Sequence, residues 1–118
     1  MKLDLTGLHI GVTDAIREFT EKKVEKLAKF FHDDTICHVT FSAKKEKQRV
    51  DIRIEYKSRT YIAEEETTDI YCGIESAINK LEAQIRKNKE IIDKKRKQGV
   101  PEHELDALSI EDLLKEEE

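Results

Sequence analysis

Hydrophobic and polar residues alternate with a period of two in three neighbouring stretches. In ICHVTFSAKK, residues 36–45, Cys37, Val39, Phe41 and Ala43 alternate with His38, Thr40, Ser42 and Lys44. In RVDIRIEYKS, residues 49–58, Val50, Ile52, Ile54 and Tyr56 alternate with Asp51, Arg53, Glu55 and Lys57. Period two with one apolar side predicts antiparallel strands with one wet face. The lysine-rich KKEKQ between them is the connecting hairpin, and TYIAEEE, residues 60–66, is a third, shorter strand with Tyr61 and Ala63 inward. MKLDLTG at the start, with Leu3 and Leu5 on one side and Gly7 at its end, predicts one more short strand.

Two stretches change period. In residues 12–31 the apolar positions Ile16, Phe19, Val24, Leu27 and Phe31 recur every three to five residues. That spacing places one stripe of a helix against a core. Thr13 is a suitable N-cap, and Asp14 sets a negative charge where the helix dipole favours it. A second, longer helix starts from Thr68 or Asp69 and buries Ile70, Ile74, Ala77, Ile78, Leu81, Ile85 and Ile92. It stops where Lys94–Lys97 meet Gly99 and Pro101. The predicted order is β-α-β-β-β-α, an α+β fold. Elements that are each apolar on one side only are satisfied by a four-stranded sheet with both helices on one face. The other face, carrying His38, Thr40, Arg53, Glu55 and Lys57, stays in water.

Charge divides the chain differently. The whole has a formal net charge of -4, yet residues 1–97 hold 21 Lys and Arg against 18 Asp and Glu. Residues 98–118 hold one Lys against eight acidic residues, a net -7. The expected organisation is one domain over 1–97 and an acidic, flexible tail over 98–118, whose Leu108, Ile110, Leu113 and Leu114 are too few for an independent core. No apolar run approaches the roughly 18 residues of a membrane span, and the N-terminus lacks a signal-peptide pattern, which points to the cytosol. Cys37 and Cys72 have neither metal-like nor redox-like spacing and are expected to be reduced and buried. Without a Gly-rich phosphate loop or clustered His and Cys, no enzymatic activity, cofactor, metal or small-molecule substrate is expected. The acidic runs 64–66 and 116–118 are expected to be solvated.

The basic bias concentrates on the second helix. After residue 79 it carries eight positive residues against three negative ones. Lys80, Lys87 and Lys94 stack at seven-residue spacing, Arg86 and Lys97 lie on the opposite flank, and Lys89 sits near the edge of the buried stripe. On the first helix Lys22, Lys26 and Lys29 form a comparable row, with Lys23 beside its apolar boundary. Two explanations stand at this point. Lysine rows solvate helices, and Glu18, Glu25 and Glu82 each sit four residues before a cation, the spacing of helix-supporting pairs. The same rows can attract RNA, an acidic protein or a membrane surface.

Three segments, MKLDLTG, TDAIREF with KLAKFF, and DIYCGIESAINKLEAQIRKNK, resemble the family of ribosome hibernation-promoting factors, also called ribosome-associated inhibitors or sigma-54 modulation proteins. The resemblance covers about residues 1–95, and its most specific part runs through Asp69, Tyr71, Ile74, Glu75, Lys80, Leu81, Gln84, Ile85, Lys87 and Lys89. It implies a sheet with two helices on one face, similar to double-stranded-RNA-binding folds. It also implies binding to the small ribosomal subunit in the channel for messenger RNA and transfer RNA anticodons, with inhibition of translation and protection of idle ribosomes. Carried across, Lys23, Lys26, Lys80, Lys87 and Lys89 meet ribosomal RNA phosphates; Arg86 joins them as a neighbour on the same helix. Arg17 also matches a basic family position, although Glu18 and Glu21 beside it suit a structural role. Long members carry a second domain that pairs ribosomes, and 21 residues after 97 are too few for one. The chain thus reads as a short form with an acidic tail, or a long one cut within its linker; a monomer is favoured. The alternative is a protein-interaction module whose basic helix docks an acidic partner such as a transcription factor.

Overall fold

The computed structural model describes residues 1–115. Strands β1 (Lys2–Leu8), β2 (Ile36–Lys44), β3 (Lys47–Tyr56) and β4 (Arg59–Thr67) form one sheet in the order β1-β2-β3-β4. Between them run α1 (Asp14–Glu25), a 3-10 turn (Ala28–Phe30) and α2 (Ile70–Lys97). The chain continues into α3 (Glu102–Ala107) and α4 (Ile110–Lys115). β2, β3 and β4 are antiparallel, whereas β1 pairs in parallel with β2. A parallel neighbour requires a crossover, and α1 supplies it.

Both long helices lie on the same face of the sheet. The alternation read from the sequence places Val39, Phe41, Val50, Ile52, Ile54, Tyr61 and Ala63 beneath them, each at most 4% exposed. Leu27, Ile74, Ile78 and Leu81 close the core from above. Thr13 caps α1 by accepting a hydrogen bond from the Ile16 amide at 3.2 Å, and Asp69 caps α2 by accepting from the Tyr71 amide at 3.0 Å. Gly99, at φ 92°, follows the end of α2 in the left-handed conformation that a helix stop needs.

Gly73 is required for a different reason. A Cβ there would lie 2.6 Å from Thr67 Cγ2 and 3.2 Å from Val50 Cγ2, because α2 crosses close to the sheet at its first turn. Gly73→Ala would gain about 1 kcal/mol of helix propensity but overpack the crossing, at a cost of about 1–3 kcal/mol. The expected outcome is a net loss of stability in urea unfolding; an alanine variant as stable as the parent would show that the crossing relaxes freely.

The open face is wet and internally paired. One row across it, Asp4, His38, Arg53 and Ile62, follows the register, with His38 Nδ1 3.2 Å from Asp4 Oδ2. Arg49 pairs with Asp51 and Glu64, both at 2.9 Å. Lys57 departs from the expected strand position. It sits in the β3–β4 turn at φ 56° and donates to Asp106 at 2.6 Å.

Two further expectations are corrected. The first helix does not run unbroken to Phe31; α1 ends at Glu25 and the chain tightens into the 3-10 turn. Leu27 stays in the core at 0% exposure, Arg86 lies over the Phe30 ring at 5.6 Å, and Phe31 packs edge-on to Tyr56 and Tyr61. Of the cysteines, only Cys37 is buried, and burial pushes its thiol up to about 12. Cys72 is exposed on the outer side of α2, and its hydrogen bond to Asp69 raises its pKa. The folded protein should therefore release one equivalent from a disulfide reagent, more slowly than a free cysteine, and a second only on unfolding. Two equivalents without denaturant would contradict this placement.

The segment after residue 97, expected to be a flexible tail, packs back onto the body as far as it is described. Leu105 and Leu113 are 1% and 0% exposed, and Ile110 packs against the main core. Arg59 Nη1 donates to the carbonyls of Leu105 (3.0 Å) and Leu108 (3.4 Å), while Arg96 pairs with Glu102. Hydrogen bonds from Arg96 and Lys57 hold the Glu102 and Asp106 carboxyls below their usual range. The apolar residues are too few for a core of their own but enough to extend an existing one, and Glu102 and Asp106 meet cations of the body. Residues 116–118 lie outside the described part. No helix among the described residues is long and apolar enough to cross a membrane.

Candidate nucleic-acid interface

α2 rises about 1.5 Å per residue, so its 28 residues form a rod of about 42 Å along which the basic side chains are spaced. At about 100° per residue they fall on two flanks. The flank carrying Lys80 and Lys87 turns toward β4: Lys80 pairs with Glu65, and Gln84 donates to the Ile62 carbonyl at 3.0 Å. The flank carrying Arg86 turns toward α1. There Lys26 donates to Asn79 at 3.0 Å and pairs with Glu82 at 3.4 Å, and Lys23 approaches Glu75 at 3.6 Å. Lys23, Lys26 and Arg86 thus meet beside the α1–α2 groove, Lys89 lines a pocket with Lys29 and Phe30 of the 3-10 turn, and Lys80 and Lys87 lie on the flank toward β4.

Most of the six are engaged with neighbours. Arg86 pairs with Glu82 at 3.0 Å, so Glu82 serves both Arg86 and Lys26, and the Arg86 hydrogen bond keeps its carboxyl below the usual range. Lys87 is exposed and also interacts with a neighbour. Lys89 is exposed and makes no ion pair with the described residues. These contacts decide how available the amines are. The cations are well exposed, whereas Glu82 and Glu65 are only 23% and 20% exposed, so the amines can reach a phosphate while their carboxylate partners stay close to the body. The excess of eight cations over three acids in residues 80–97 remains with either partner.

An aromatic component was not singled out from the sequence. Phe30, at the end of the 3-10 turn, has Lys29 Nζ 5.2 Å from its ring centroid, in addition to Arg86. The ring, partly buried against the core, holds both cations over it and so fixes where their charges stand. The signal was present in KLAKFF, where lysine and phenylalanine interleave, but that run also fits a buried stripe. Only the change to a 3-10 turn brings Phe30 to α2. Arg17 is exposed on α1.

Comparison with known proteins places this geometry among relatives. The family model described as sigma 54 modulation protein / S30EA ribosomal protein matches residues 3–93. The chain is 37% identical over 100 residues to a ribosome hibernation promotion factor of Staphylococcus aureus, covering 80% of this chain and 52% of the relative. It is 36% identical over 104 residues to the protein of that name from Lactococcus lactis, covering 86% and 56%. The chain therefore spans about half the length of the curated relatives it matches. Among solved structures, the N-terminal domain of Thermus thermophilus Protein Y is similar at a TM-score of 0.66 and 31% identity, over 72% of this chain and 96% of that one. A ribosomal subunit interface protein from Coxiella burnetii is similar at 0.67 and 30%, over 76% and 99%.

Proposed function

The chain belongs to the sigma 54 modulation protein / S30EA ribosomal protein family, and from that premise we propose that it is a ribosome hibernation factor of the cytoplasm. In this proposal it binds the small ribosomal subunit through ribosomal RNA phosphates in the mRNA and tRNA channel, inhibiting translation and stabilising idle ribosomes. Lys23, Lys26, Lys80, Arg86, Lys87 and Lys89 supply the contacts. The observation that carries the proposal is the positive excess of α2, presented on exposed side chains and only partly offset by Glu65 and Glu82. Support also comes from the names of the relatives, two hibernation factors and a subunit interface protein. Contacts of this kind follow the shape and charge of folded RNA rather than its base sequence.

One observation favours a second reading. Lys23, Lys26 and Lys80 all accept protein carboxylates as partners within this fold, so an acidic protein would suit the same surface. Nuclease treatment separates the two. If RNA is the ligand, digesting the ribosomal RNA of small subunits abolishes capture of this protein. Capture that survives complete digestion would favour the acidic partner and contradict the proposal.

A further inference from the structure

Beneath α3 lies a cavity of about 200 Å³, walled by the 3-10 turn, the β3–β4 turn, the last turns of α2 and α3 itself. Arg59 lines it and is 5% exposed. Its Nη1 is satisfied by the Leu105 and Leu108 carbonyls, but its Nε is buried without a hydrogen-bond partner among the described residues. No described carboxylate stands within ion-pair distance of it. A buried guanidinium in that condition is costly unless something negative completes it.

The rest of the lining has the same bias. Lys29, Lys57, Lys89 and Arg96 join Arg59, against two carboxylates, Asp93 and Asp106. Both carboxylates already serve other cations: Asp106 pairs with Lys57, and Asp93 pairs with Arg96 at 2.9 Å. Among the described residues Lys29 and Lys89 make no ion pair, and Arg59 feels the charge of Asp106 without a hydrogen bond to it. The volume limits what can enter. At roughly 30 Å³ per water the cavity holds about six waters, well below the roughly 300 Å³ at which pockets for whole drug-sized ligands begin. A phosphate or pyrophosphate group fits that volume, and the rest of a larger phosphorylated ligand would lie outside it, toward solvent.

We propose that this cavity is an anion site that takes a terminal phosphate or pyrophosphate group, with Arg59 at its floor and Lys29 and Lys89 at its mouth. A guanidinium and two flexible amines form the donor set that phosphate oxygens favour. α3 closes the site, since Leu105 lines the cavity and its carbonyl orients the guanidinium. The phosphate can belong to a small phosphorylated compound or to the end of an RNA strand. The inference does not rest on the ribosome proposal: it concerns the free protein, and either can fail without the other.

The test follows the Arg59 Nε–Hε signal in ¹⁵N-correlated NMR spectra of the full chain at constant ionic strength. The ligands are inorganic pyrophosphate and a short oligoribonucleotide with either a 5′-phosphate or a 5′-hydroxyl. Pyrophosphate should shift the signal saturably, and Lys29→Ala and Lys89→Ala, both surface changes, should each weaken that binding about fivefold. A shift with the 5′-phosphate strand as well assigns RNA ends to the site, and a shift with pyrophosphate alone assigns a small phosphorylated compound. The inference is overturned if no ligand gives a saturable shift up to about 10 mM. It is equally overturned if both surface variants bind like the parent, if sodium chloride reproduces the shift, or if the 5′-hydroxyl strand shifts the signal as strongly as the 5′-phosphate strand does.

Discussion

Replacing Lys80 and Lys87 together by glutamate is expected to weaken binding to small ribosomal subunits by about 100-fold or more, because each reversal removes an attraction and adds a like-charge repulsion against phosphate. The salt dependence should change with it. Each phosphate contact contributes about 0.7 to 0.9 to the slope of log affinity against log salt, so losing two lowers the slope by about 1.4 to 1.8. Folding should be nearly untouched. Both lysine side chains are exposed, and the one cost expected is at Glu65, a partly buried carboxylate that loses its partner and faces a like charge. Subunit pelleting and urea unfolding of the same variant separate the two effects. Unaltered binding with an intact fold would remove the flank toward β4 from the interface.

Truncating the chain after Lys97 is expected to act in opposite directions on stability and on binding. Stability should fall by about 1–3 kcal/mol, since two fully buried leucines, Leu105 and Leu113, contribute about 1.5–3 kcal/mol each, offset by the entropy of ordering the segment. Binding to a polyanion should hold or tighten. The cut removes a net charge of -7 and releases Lys57, Arg59 and Arg96 from the partners that α3 supplies. A large loss of ribosome binding in a truncated protein that still folds would show that the segment itself touches the ribosome. Acid should mimic part of the stability loss. Glu102 and Asp106 have folded pKa values below their ordinary ones, so their contribution is present above the usual carboxylate range and fades as pH falls through the lowered values.

What the sequence revealed and what it concealed divide along a physical line. The inward residues of β2, β3 and β4, the caps Thr13 and Asp69, and the stop at Gly99 were legible because each depends on local period or local backbone chemistry. The same period gives the angle of a side chain about its own helix axis, and it placed Lys80 and Arg86 on opposite flanks correctly. It does not say what stands across from each flank. The partners Glu75, Glu82 and Glu65 reach Lys23, Lys26 and Lys80 from other elements, so the carboxylates that moderate the basic surface appear only with the fold. The break before the 3-10 turn was hidden because Leu27 and Phe31 continue a helical stripe, and the turn carries Phe30 to Arg86 without interrupting it. The docking of α3 was hidden by composition: a run of acids suggests repulsion from solvent-exposed acids, yet here it lies against Lys57, Arg59 and Arg96. Cys72 was misplaced because a small apolar residue on an amphipathic helix gives little evidence of side.

The proposed function stands on a grip on the small ribosomal subunit through phosphate contacts made by two helices. Its most direct test is the affinity of the purified protein for isolated small and large ribosomal subunits across a salt series. The expected result is binding to the small subunit with log affinity falling linearly in log salt, at a slope of about -4 to -5 if six contacts form. Binding that is indifferent to salt, or that follows the large subunit instead, would contradict it.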